Sequence, residues 1–158
     1  MSNFKSGAEA KKEYMEKMGE ELGELYNGLW QEVATLHGDW EEYVVLFGTK
    51  PSRTDIMNTT APDFFNMLQR TWLENTMLHI SRLTDNAIVC GKKTLSVKSL
   101  SELIVDENLK IKVNLLVENV IQKAEFCRDR RNRKLAHRDL KLAVDKNTKP
   151  LPPASRLK

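Results

Sequence analysis

The chain has 158 residues, 41% hydrophobic and 30% charged, with a net charge of +3. That length supports one domain with a real core and is short for two, and the composition excludes a disordered chain. Seven glycines and five prolines, three of them in the last nine residues, leave an interior poor in breakers, which favours long helices over a β-rich fold.

Other classes fall away on motifs. The opening MSNFKSGAEAKKEYMEK has no apolar core of the kind a secretory signal needs. Runs such as Val44-Val45-Leu46-Phe47 are too short to span a membrane, so a cytoplasmic protein with no membrane contact is expected. Cys90 and Cys127 lack CxxC spacing and clustered histidines, and are read as free, reduced thiols. His37 and His79 have no ligand-like companions, so no metal and no cofactor are expected. There is no Gly-rich phosphate loop, no Ser-His-Asp order and no paired-carboxylate motif.

In chain order, apolar residues at Tyr14, Met18, Leu22, Leu25, Leu29, Val33, Leu36, Trp40, Tyr43 and Phe47 mark one face of a helix of about ten turns. Gly19, Gly23, Gly28 and Gly38 weaken it, so a kink or a break is expected. GTKPSRTD, residues 48–55, ends it with a Gly and then a Pro. Thr60-Ala61-Pro62-Asp63 resembles a helix start, and Phe64, Leu68, Trp72, Met77 (or Thr76), Ile80 and Leu83 form the stripe that follows. The tryptophans lie at or near such stripes, which favours packing over base stacking. DNAIVCGKKT reads as a loop, and LSVKSLSELI, residues 95–104, as a short helix capped by Ser96.

The last long helix aligns Val113, Val117, Val120, Ala124 and Cys127, and four residues further the same stripe lands on Arg131. Burying an unpaired guanidinium is costly, so Arg131 should line a cleft, pair with a carboxylate such as Asp85 or Glu74, or face another subunit. DKNTKPLPPASRLK reads as an extended, flexible tail. The expected architecture is all-α, an up-and-down bundle of four to five helices over residues 1–145, with 146–158 as the tail.

Charge is unevenly spread. From Glu9 to Glu42 ten acids face Lys11, Lys12 and Lys17, a balance of −7. From Arg128 to Lys141 the bases Arg128, Arg130, Arg131, Arg133, Lys134, Arg138 and Lys141 face Asp129 and Asp139, a balance of +5. Such a concentration suits phosphates, and RNA binding through Arg128, Arg130, Arg133, Lys134 and Arg138 is one reading of it. A solvated helix end is the plainer one.

His137 lies inside this run. An imidazole titrating near neutrality can take the proton of a ribose 2′-OH or protonate a leaving 5′-oxygen, and a guanidinium can clamp the phosphate between them. Asn132 could orient the histidine or donate to a phosphate oxygen. In an ideal helix Arg131 and His137 stand about 120° apart, so pairing them needs a bend, a helix end near Ala136, or a second subunit. Arg82 and Asp85 are read either as support for the motif from the neighbouring helix or as a local pair at a helix end.

Arg131-Asn132-Arg133-Lys134-Leu135-Ala136-His137 resembles the signature of the HEPN superfamily: Arg, a polar residue that is often Asn, four more positions, then His. LYNGLWQEVATLHGDWEEYVVLFG, FFNMLQRTWLENTMLHISRLTDNA and TLSVKSL further resemble its abortive-infection branch of AbiU type, so the likeness covers roughly residues 20 to 140. The resemblance implies a HEPN fold that commonly dimerises, bringing two motifs into one cleft. It also implies metal-independent endoribonuclease activity leaving a 2′,3′-cyclic phosphate, in phage defence or a toxin–antitoxin system. Arg131 and His137 would then be catalytic, with Asn132 supporting them, and an antitoxin or defence-system protein would be a partner. Some HEPN toxins carry a tyrosine two positions after the histidine, the target of a nucleotidyltransferase antitoxin. Here that position is Asp139. A non-catalytic HEPN scaffold binding RNA, a nucleotide or a protein is the alternative.

Overall fold

The computed structural model describes residues 5–48, 50–135, 140 and 144. It is all-α, of the helical-bundle class expected. Five helices are described: α1 (Gly7–Met18), α2 (Glu20–Phe47), α3 (Pro51–Thr60), α4 (Pro62–Leu83) and α5 (Glu107–Arg130). A two-residue ribbon pairs β1 (Ile88–Val89) with β2 (Lys92–Lys93) in antiparallel register. Residue contacts divide the chain into two compact units, Met1–Ala34 with Arg82–Lys123, and Thr35–Ser81 with Ala124–Lys158.

In the first unit the expected long N-terminal helix is broken. Gly19 takes φ +84°, a left-handed conformation that ends α1 and that side chains rarely adopt. The chain then turns α1 back on α2, so closely that a Cβ on Gly23 would lie 2.5 Å from Met15 Cα. Tyr14 and Tyr26 meet edge to face at 4.9 Å, and Lys11 reaches Glu24 at 2.7 Å. Ser6 caps α1 in a reciprocal pair with Glu9: Oγ accepts from Glu9 N, and Glu9 Oε2 accepts from Ser6 N at 2.7 Å.

The segment read as a loop after α4 is a tight hairpin. Cys90 (φ +50°) and Gly91 (φ +75°) supply the two positive dihedrals that a type I′ turn requires. Residues 95–104 make two short 3₁₀ turns, Val97–Ser99 and Ser101–Leu103, rather than one helix. Ser96 is their cap, as expected: Oγ accepts from Lys98 N at 3.2 Å and donates to Asp85 O at 2.6 Å. That second bond lets a fully buried hydroxyl tie the turns to the chain leaving α4. Leu29, Leu83, Thr84 and Ile104 are the other buried side chains of this unit among the described residues.

In the second unit the two halves of the GTKPSRTD segment do different things. Gly48 follows the end of α2, and Pro51 opens α3, a helix absent from the sequence reading. A proline that cannot continue one helix is well suited to the first position of the next, because its missing N–H has no partner there. Pro62 does the same for α4, as expected, with Asp63 in the first turn.

The core of this unit gathers Met57, Met77, Ala124 and Cys127, the second and last fully buried. Thr76, His79 and Ser81 are buried with them, so this part of α4 is covered on several sides rather than along one stripe. Thr76 and Ser81 satisfy their hydroxyls on their own helix, donating to Trp72 O (3.0 Å) and Met77 O (2.8 Å). Tyr43 links α2 to α4, stacked on Trp40 at 5.2 Å and edge-on to Trp72 at 6.4 Å. Phe64, expected on the core face, is 54% exposed.

Candidate functional site

The basic segment grows out of α5. That helix starts on Asp106, whose Oδ1 accepts from Leu109 N at 2.7 Å, an N-cap. The expected stripe narrows along it: Val113 and Val117 are half-buried, Val120 is 46% exposed, and Ala124 and Cys127 are buried. Burial pushes the Cys127 thiol up to about 11. Arg131, one turn further, is half-buried, as the stripe requires.

At Arg131 the backbone changes. Residues Arg131–Leu135 form a π-helical turn directly after α5. In such a turn the hydrogen bond spans five residues rather than four, so the register of an ideal α-helix stops at Arg131. π turns inside or at the ends of helices are frequent at functional sites, because they re-aim side chains that the α repeat would disperse.

Within the turn Arg131 Nε donates to Asn132 Oδ1 at 3.0 Å. This joins the first two motif residues and commits one of the guanidinium's five N–H groups. With Oδ1 engaged, the amide nitrogen of Asn132, an exposed residue, is the atom that can donate to a phosphate oxygen.

The neighbouring cations are more constrained. Arg133 Nη1 lies 3.3 Å from Asp129 Oδ2, one turn back, with 17% of its side chain exposed. Lys134 Nζ lies 2.7 Å from Glu74 Oε1 on α4. The sequence reading named Glu74 as a candidate partner of Arg131, and Glu74 meets the motif turn through Lys134. Arg128 and Arg130 are half-buried at the end of α5. His137 and Arg138 lie outside the described residues.

Arg82 and Asp85 belong to the first unit and Arg131 to the second. At the end of α4, Asp85 N donates to Arg82 O at 3.2 Å and Asp85 Oδ1 accepts from Asn86 N at 3.1 Å. His37 Nδ1 sits 3.4 Å from Glu41 on an exposed face of α2. Among the described residues no helix is long and apolar enough to cross a membrane.

No curated protein and no solved structure matches the chain. The family model described as AbiU2, a HEPN family, matches residues 19–156, which takes in α2 through α5 and the π turn with Arg131 and Asn132. A match over that much of an all-α chain, motif included, makes it a member of the HEPN AbiU2 family.

Proposed function

We propose that the protein is a metal-independent endoribonuclease acting in abortive infection or as the toxin of a toxin–antitoxin pair. The observation that carries the reading is the half-buried Arg131, hydrogen-bonded to Asn132 in a π turn, at the position where the HEPN signature places its arginine. In this reading His137 takes the proton of a ribose 2′-OH. The 2′-oxygen attacks the adjacent phosphorus, the bond from phosphorus to the 5′-oxygen breaks, and that oxygen leaves with a proton. The products are a 2′,3′-cyclic phosphate and a 5′-hydroxyl. Arg131 stabilises the charge that develops on the phosphate oxygens, and Asn132 Nδ2 donates to one of them. Arg128, Arg130, Arg133, Lys134 and Arg138 supply steering, which raises the local concentration of RNA without taking part in bond making.

We place the enzyme in the cytoplasm as a homodimer with an antitoxin or defence-system partner. Leu115 (62% exposed) and Leu116 (67% exposed), left open on α5, support a second copy. The test is cleavage of single-stranded RNA in a chelator by the native chain, Arg131→Ala and His137→Ala. Loss of about a hundredfold or more in each variant is expected. Equal cutting by all three, or none by any across varied RNAs, overturns the reading. The five cations between Arg128 and Lys134 also fit a scaffold that binds RNA without cutting it. Salt-sensitive binding that survives His137→Ala, with no cleavage by the native chain, selects that alternative.

A further inference from the structure

α1 and α2 are joined by a single residue, Gly19, and no residue of α1 is buried. The apolar stripe nonetheless runs straight through that joint. On an unbroken helix Tyr14, Met18, Leu22, Leu25 and Leu29 would lie within about 80° of one another. The same residues therefore encode a second conformation. If Gly19 takes helical dihedrals, α1 and α2 fuse into one rod, and the N–H groups that open α2 pair with the carbonyls that end α1. The rod gives up the packing of α1 on its seat: the Met15 backbone against Gly23, Tyr14 edge to face with Tyr26, and Lys11 with Glu24.

The element that fits the emptied seat is α1 itself, supplied by a second copy. Met15 against Gly23 and Tyr14 against Tyr26 are pairs placed almost evenly about Gly19. Two rods lying antiparallel, with a two-fold axis at the hinge, would thus rebuild both contacts at each end. We infer that α1 is an exchangeable arm: Gly19 straightens, and α1 docks on α2 of a second copy through the contacts it makes on its own chain. Exchange restores every contact it breaks, so the balance is set by the hinge and by concentration. A one-residue connection that reverses the chain sharply is the kind that invites it. The HEPN AbiU2 match begins at residue 19, so the exchange moves α1 and leaves the matched segment as it stands. The inference depends neither on the ribonuclease reading nor on the open leucines of α5.

The experiment cross-links the arm to its seat. In a Cys90→Ser background, full-length chains carrying Lys11→Cys are mixed with chains carrying Glu24→Cys, refolded together from urea at rising concentration, and treated with a short bismaleimide. The pair these substitutions remove is exposed and contributes little to docking. A chain carrying both cysteines serves as the control, because the folded-back arm links within it. Exchange predicts a dimer joined between position 11 of one chain and position 24 of the other, its yield rising with concentration. Gly19→Ala disfavours the positive φ of the bend and favours the rod, by about tenfold per hinge and about a hundredfold per dimer. It should lower the concentration that gives half the cross-linked product by that factor. A link that forms in the control but never between chains, with either hinge, overturns the exchange, as does a dimer that lacks it. Should Gly19→Ala lose helix content by circular dichroism, the native hinge alone decides between these outcomes.

Discussion

Cys127 offers a direct check on the face that carries Arg131. The thiol is fully buried, and burial raises it from an ordinary 9.0 to about 11. Because the folded value lies above the unfolded one, the stability this thiol contributes is complete below about pH 9 and is lost as pH rises through about 11. At pH 11 that loss amounts to about 2 kcal/mol, from a shift of about two units at 1.36 kcal/mol each, less the half-titrated native thiol. The assay is urea unfolding of the native chain and Cys127→Ala from about pH 8 to about pH 11. Every other titrating group cancels in the comparison, and the small void left by the missing sulfur adds a cost that does not vary with pH. The native chain should lose about 2 kcal/mol more than the variant over this range. In parallel, at pH 8 the Cys127 thiolate should be about a hundredfold scarcer than that of an ordinary thiol, so iodoacetamide should modify exposed Cys90 and spare Cys127. Identical pH slopes, or alkylation of both cysteines at one rate in the folded protein, would show that this face of α5 is open. The argument that Arg131 continues a buried stripe would then fail.

Two further outcomes follow from packing and charge. Gly23→Ala should cost about 1–3 kcal/mol, because the new methyl would sit 2.5 Å from the Met15 backbone and α1 would have to move. A urea midpoint equal to the native one would mean α1 does not lie against α2 there. Glu74→Gln should cost about 0.5 kcal/mol at low salt and less at high salt, since the pair it breaks with Lys134 is only partly shielded (25% and 40% exposed). A loss that persists undiminished in high salt would assign Glu74 a packing role instead.

The periodicity of the sequence carried most of this fold, because burial along a helix repeats with its turn. The stripe from Val113 through Cys127 singled out Arg131 as the arginine least like a solvated one, and the structure has Arg128, Arg130, Arg131 and Arg133 all half-buried. Pro62 and Ser96 were legible because first-turn proline and capping chemistry are local, whereas Thr60, read as a capping hydroxyl, is the last residue of α3. The missed features depend on neighbours or on backbone state. A kink or break at one of four glycines was expected in the first stripe; that it falls at Gly19 is set by α1 docking back on α2, a tertiary fact. Pro51 was read only as a stop signal, although the same fixed φ starts a helix when a turn precedes it. Phe64 sits on the helical stripe by count, yet the covering residues begin further along α4. The π turn at Arg131 had no sequence signature, since five residues rich in Arg and Lys suit an α repeat equally well. That Lys134 and Glu74, 60 positions apart, form an ion pair is set by tertiary packing rather than by local sequence.

The central claim is chemical: a ribose 2′-hydroxyl attacks its own phosphate at the Arg131–Asn132 turn without a metal. Incubating the native protein in a chelator with one RNA sequence in two forms, all-ribose and 2′-O-methyl, and identifying the ends of any products tests it directly. The account predicts cutting of the ribose strand alone, with 2′,3′-cyclic phosphate and 5′-hydroxyl ends. Cutting of both strands, products ending in 3′-hydroxyls, or an intact ribose strand would contradict it.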